Sequence, residues 1–380
     1  MMVVKVVFSI LLLIIAIYSV LGGAYAVYDP LTLPNNKFGI HILFPSELEK
    51  AGELVNSNGG QWGYVTIPIQ VADKDLVKWQ KFFDEAKRLK IIPIIRLATE
   101  SNYHDTKSWK KPSEEDILDF ANFFDSLVWP TKNRYIVVFN EVNRVDEWEG
   151  LSNPYEYSTI LDFAISTFKS KSDDYFIISA GLDNAAETDG LSFNEYDFIR
   201  LVNQENPGIF SRVDGVASHS YPNPAFSQPP DVVTEKSVGS FIYESLLIER
   251  LTEKSLPIFI TETGWDQQLY KDSEVGIFFR QAFESIWNDP KIVAVTPFLL
   301  SSQEGPFEKF SFIKKDGTES DIFKAFQNIE KTKGEPIING SVKNESSERI
   351  SNLPVIGFSK ESEDSENRLK SIIKFIFLGI

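Results

Sequence analysis

The chain contains no cysteine, which excludes disulfides, thiolate nucleophiles and cysteine-ligated zinc. Histidine is nearly as scarce: His41, His104 and His219 stand far apart, a poor supply for an imidazole-built zinc site. Positive charge is in deficit as well. The 38 Lys+Arg against 54 Asp+Glu leave a net charge of −16. Such a surface repels phosphate backbones, so nucleic acid is not an expected partner. No Gly-x-Gly-x-x-Gly follows an apolar run, so a dinucleotide fold lacks its fingerprint. What remains is ordinary for a globular protein: 380 residues, 43% apolar and 24% charged, enough for a large core. Wholly disordered and multi-span membrane chains are excluded by the same balance.

The ends differ from the middle. Lys5 precedes an uncharged run that closes on Ala24-Tyr25-Ala26, the small-residue pattern of a signal-peptidase site. Residues 1–26 read as a secretion signal or as a retained membrane anchor, since about 20 helical residues span a bilayer. Either places the rest outside the cytoplasm, secreted or tethered. Residues 333–380 turn polar, rich in Gly, Ser, Asn, Glu and Lys, and read as a linker or tail with a short apolar terminus.

Between them, residues 37–332 alternate short apolar runs with longer amphipathic ones. The runs at 38–43, 63–69, 91–97, 135–140, 175–180, 213–219, 257–262 and 292–300 are nearly continuous in apolar character. Strands buried on both faces of a parallel sheet read this way. Helical patterns separate them. In one, Ser113 offers an N-cap ahead of Glu114, Glu115 and Asp116, and Ile117, Phe120, Ala121, Phe124, Leu127 and Val128 share a face. In another, Leu76, Trp79, Phe82, Phe83 and Ala86 do so. Eight such units predict a single (β/α)₈ barrel, with its active site at the C-terminal ends of the strands.

Two of those ends carry a glutamate: Asn140-Glu141 closes the fourth strand and Glu262 the seventh. Carboxylates on opposite rims of one barrel mouth are what glycoside cleavage needs, one to protonate the leaving oxygen and one to attack or stabilise the anomeric carbon. Asn140 is placed to hydrogen-bond a sugar hydroxyl. His219 and Tyr221, two apart at the sixth strand end, put two polar side chains at the same mouth, and the Tyr221 hydroxyl would orient Glu262. Arg96, inside an apolar strand, requires an anionic partner. That partner is a catalytic carboxylate or, structurally, Glu100 or Asp105. Trp62, Trp79, Trp129 and Trp287 read as packing. Trp109, Trp148 and Trp265 follow strands three, four and seven, where exposed indoles would stack on sugar rings or anchor loops. Tyr103 and Phe226 are weaker members of that set.

Asn140-Glu141, His219-x-Tyr221 and Glu262 at these strand ends resemble the retaining glycoside hydrolases of clan A, which includes cellulases, mannanases, xylanases and β-xylosidases. The resemblance covers about residues 37 to 330. It implies a (β/α)₈ barrel acting on an oligo- or polysaccharide by double displacement, with no metal or cofactor. Glu141 would be the general acid/base and Glu262 the nucleophile. Asn140 would contact the hydroxyl next to the anomeric carbon, Tyr221 the nucleophile, and His219 and Arg96 would line the cleft. Glu141 would then hold a proton at working pH. The carboxyl groups would lie ~5–5.5 Å apart, against ~6.5–9.5 Å for inversion. The chain departs from the clan at strand eight, where Phe298-Leu299-Leu300-Ser301 replaces the usual Trp floor. Two rivals stand beside this reading. One is a catalytically silent glycan-binding barrel. The other is a metal-dependent hydrolase drawing on His41, His219 and Asp183.

Overall fold

A computed structural model describes residues 27–100, 108–302 and 305–339. The segment 1–26, Tyr103, His104, Asp105 and the tail from 340 onward lie outside the described residues. Eight strands form one parallel sheet in chain order: β1 (Gly39–His41), β2 (Gly63–Gln70), β3 (Ile91–Ala98), β4 (Arg134–Val137), β5 (Tyr175–Ser179), β6 (Gly215–His219), β7 (Ile258–Glu262) and β8 (Ile292–Val295). A bridge between Phe38 and Val295 closes β8 onto β1. Each strand is followed by a helix: α1 (Leu48–Val55), α2 (Leu76–Leu89), α3 (Glu114–Asp125), α4 (Pro154–Lys171), α5 (Glu195–Glu205), α6 (Ser240–Thr252), α7 (Asp272–Glu284) and α8 (Asp321–Gln327). This is the expected (β/α)₈ barrel.

The helices start and stop where local chemistry directs. Asp75 accepts from the backbone N–H groups of Val77 and Lys78 and opens α2. Trp79, Phe82, Phe83 and Ala86 are its buried face. Ser113 and Asp116 form a capping box on α3. Leu76 and Val128, which spacing assigned to these buried faces, are exposed. Leu76 stands in the first turn of α2, and Val128 falls beyond the last turn of α3. Helices α1 and α8 were not legible. Both are eight residues or fewer, and α1 carries Gly52 inside and no side-chain cap.

Two cores result. Inside the barrel, Tyr64, Ile92, Ile94, Tyr135, Phe176 and Phe259 fill the lumen. A larger apolar layer joins the outer faces of the strands to the helices. Residues outside the 37–332 span also take part at the N-terminal end of the barrel. Tyr28 donates and accepts with Asn133, and Ile337 and Glu335 bond Lys132 and Pro34. With that end plugged, the mouth at the strand C-termini is left to function. Among the described residues no helix is long and apolar enough to cross a membrane.

Candidate active site

The C-terminal strand ends bring together His41 from β1, Arg96 from β3, Asn140 and Glu141 just past β4, His219 and Tyr221 at β6, and Glu262 at β7. Regular pairing in β4 stops at Val137, sooner than the apolar run suggested. Phe139 (φ 72°) and Glu141 (φ 36°) both adopt left-handed backbone. An extended strand would send neighbouring side chains to opposite faces. Here the two left-handed residues let Asn140 and Glu141 both reach the mouth, at a cost of about 1–3 kcal/mol each. The backbone N–H of Glu141 to the Gly181 carbonyl (2.9 Å) secures the turn.

Glu262 is nearly buried and held from two sides. Arg96 donates to Oε1 at 3.0 Å and the Tyr221 hydroxyl donates to Oε2 at 3.1 Å. Arg96 also donates to the Asn140 side-chain oxygen, which fixes both. The partner of Arg96 is therefore the strand-seven carboxylate. Glu100 pairs with Lys110 instead. Glu141 faces Glu262 across His219. His219 Nδ1 lies 2.9 Å from Glu141 Oε1 and 3.9 Å from Glu262 Oε2. One carboxylate oxygen of each glutamate and a His219 nitrogen all fall within 4.8 Å of one another. That trio has metal-ligand character, but Arg96 and Arg144 already place guanidinium charge on the two carboxylates. Asp183 is paired with Arg144 at 3.8 Å.

Arg144 was not read from the sequence. Its Nη1 donates to Glu141 Oε2 at 2.9 Å, while Nε and Nη2 grip Asp146 at 2.9 and 2.7 Å. It sits in an aperiodic turn three residues past Glu141, where spacing carries no signal. Its consequence is electrostatic. Burial raises the Glu141 carboxyl, but the His219 hydrogen bond and the Arg144 charge outweigh burial and hold it below the ordinary carboxylate range. The expectation that Glu141 itself stores a proton is thus not met. Burial lowers His219, yet the two facing glutamates win and raise it, so the proton of this cluster belongs on the imidazole. His41 is the opposite case. Burial, then Arg96 and His219, push it well below its ordinary value, and among the described residues neither ring nitrogen has a hydrogen-bond partner. Its Nε2 lies 3.7 Å from Glu262 Oε1, and its ring meets Phe298 edge-on at 5.1 Å.

The aromatic assignments divide. Trp62, Trp79, Trp129 and Trp287 are buried, as read. Trp265 is not an exposed platform: it packs among Phe278, Phe279 and Trp287, and its N–H donates to the Gln228 carbonyl at 2.8 Å. Trp148 is likewise buried, because its N–H is drawn to Glu156 at 3.0 Å while its ring meets Phe139 and Tyr157. It still contributes to the wall of a pocket shared with Trp109, Arg96 and Asn140, and Trp109 keeps part of its surface. In place of a strand-eight Trp, Phe298 lies beside His41, clustered with Tyr221 and Phe310.

No family model and no curated protein matches the sequence. Solved structures are similar in fold. A family 39 glycoside hydrolase from the gut symbiont Bacteroides cellulosilyticus is 14% identical with a TM-score of 0.54, over 80% of this chain and 64% of that one. A GH39 beta-xylosidase from Caulobacter crescentus is 16% identical (TM-score 0.54; 78% and 71%). A GH5_18 protein from Bifidobacterium longum subsp. infantis is 11% identical (TM-score 0.51; 78% and 79%). At these identities the likeness is one of fold.

Proposed function

We propose that this barrel is a retaining glycoside hydrolase acting on β-linked oligo- or polysaccharide. The observation that carries the reading is the facing of Glu141 and Glu262 at one mouth, oxygens within 4.8 Å, with His219 between them. Carboxylates this close to one another can act on a single anomeric centre, one as nucleophile and one as acid/base, as double displacement requires. The fold neighbours, named as a family 39 glycoside hydrolase and a GH39 beta-xylosidase, support the glycosidase part of this reading.

Glu262, oriented by Arg96 and Tyr221, attacks the anomeric carbon, and the glycosidic bond to the leaving oxygen breaks. As Glu262 becomes an ester, its negative charge disappears. The nearby imidazolium of His219 loses the counter-charge that most favours it. Its Nδ1 proton then passes across 2.9 Å to Glu141 and on to the leaving oxygen. In the second step Glu141 takes a proton from water and returns it to His219, while the hydroxide frees the sugar from Glu262. Every proton is accounted for without Glu141 being neutral at rest.

The test is release of chromophore from aryl β-glycosides, and of reducing ends from polysaccharides, by wild type and Glu262→Ala, with and without azide. The expected result is loss in the mutant and rescue by azide as a glycosyl azide of inverted anomeric configuration. Cleavage of nothing across a broad panel, with polysaccharide still bound, would replace this reading with a glycan-binding barrel. The reading includes an extracytoplasmic location directed by residues 1–26, which N-terminal sequencing of the mature protein checks.

A further inference from the structure

The pocket beside Arg96 and Asn140 contains one carboxyl group that the mechanism does not use. Glu147 lines it together with Trp109, Trp148, Thr99 and Lys110. The walls are tied down. Trp109 bonds through its backbone to Asp146 and Glu149 on either side of Glu147, each at 2.8 Å. Glu156 accepts from Trp148 and from Lys111. The neighbouring cations are spent: Arg96 on Glu262 and Asn140, Arg144 on Glu141 and Asp146. Among the described residues Glu147 makes neither an ion pair nor a hydrogen bond, although it is partly buried. Burial and the nearby Glu141 charge push it up to about 8, so near neutrality it is a carboxylic acid with one proton to donate and lone pairs to accept.

We propose that Glu147 and Trp109 form a second sugar-binding subsite, taking an uncharged pyranose ring next to the ring bound over Glu262. A neutral carboxyl pairs with two adjacent hydroxyls, donating to one and accepting from the other. The indole covers the apolar C–H face of the same ring. The inference rests on the glycosidase reading and extends it: the substrate has at least two rings, and the ring in this pocket carries no charge. Among the described residues, the charged groups around Glu147 are Arg96 on β3, Lys110 in the loop after β3, and Glu141, Arg144 and Asp146 in the turn after β4.

The test is calorimetric titration of the full chain carrying Glu262→Gln with cellotetraose, mannotetraose, xylotetraose and chitosan tetraose. Circular dichroism of each variant serves as the folding control. At about pH 6.5, Glu147→Ala and Trp109→Ala each weaken the tightest neutral tetrasaccharide by about tenfold, the worth of one net hydrogen bond or more. Glu147→Gln, which keeps a donor and an acceptor, stays within about threefold. Raising the pH to about 9 weakens binding with Glu147 present and not with Glu147→Gln. The subsite is overturned if Glu147→Ala binds within about twofold of its parent, if Gln loses as much as Ala, if no tetrasaccharide binds, or if chitosan tetraose binds tightest. Cleavage by wild type without these affinity losses removes the subsite and leaves the reaction. Affinity losses in a protein that cleaves nothing remove the reaction and leave the subsite.

Discussion

A methyl group on Gly181 would lie 2.3 Å from Cδ2 and 2.4 Å from Nε2 of His219. The imidazole between the two glutamates therefore sits where it does because residue 181 has no side chain. His219 is fully buried, so its ring has little room to give way. Gly181→Ala displaces the ring from Glu141, and a misplacement approaching 1 Å costs on the order of 10²-fold in rate. We expect kcat on an aryl β-glycoside to fall by about that factor while the folded far-ultraviolet spectrum is retained. Unchanged kcat would show that the imidazole position does not matter to turnover.

The proton inventory predicts the pH profile. His219 must carry its proton for leaving-group departure, and its pKa is raised above the ordinary 6.5 by Glu262 and Glu141 despite burial. Activity is therefore full below that raised value and lost as pH climbs through it. His219→Asn should remove that limb and lower kcat on poor leaving groups by ~10²-fold or more. Activated aryl glycosides, which need little protonation, should lose much less. A basic limb that persists in His219→Asn would assign the proton elsewhere.

The parts of this site legible in the sequence are those fixed by strand ends. Apolar runs place Arg96, Glu262, His219 and Tyr221, because a barrel strand buried on both faces shows polar residues mainly where it leaves the core. Arg144 and Glu147 were missed because the turn after β4 runs through left-handed residues, where neither period 2 nor 3.6 applies. The error over Trp265 has a different origin. It follows a strand, as a sugar platform would, but the aromatic rings of α7 and of Trp287 draw it inward. Nothing local announces those long-range contacts.

Trp265 accordingly yields a stability prediction rather than a binding one. Truncating a buried aromatic of this size costs about 3–5 kcal/mol. Trp265→Ala should lower the urea midpoint by a corresponding amount, while Trp109→Ala, partly exposed, should cost much less and act on substrate affinity. Equal unfolding midpoints for wild type and Trp265→Ala would contradict the packing described for it.

A second pair of acids lies behind the barrel wall. Glu244 on α6 accepts from Ser218 (2.7 Å) and Ser240 (3.2 Å), and Glu195 at the start of α5 is buried with neither carboxyl oxygen in a well-formed hydrogen bond among the described residues. Burial pushes Glu244 up to about 7, and burial with the Glu244 charge raises Glu195 well above its ordinary 4.5. The folded state thus binds more protons than the unfolded chain from about pH 4.5 upward, through pH 7 for Glu244 and further for Glu195. Stability from these groups is full below that window and is lost as pH rises through it. For Glu244 alone the loss is on the order of 2–3 kcal/mol. Urea midpoints at pH 5 and pH 8 should differ in that direction, and Glu244→Gln, permanently neutral, should shrink the difference. A Glu244→Gln protein with the full wild-type pH dependence would mean that Glu244 is ionised in the fold, with its charge met by a partner other than the serines.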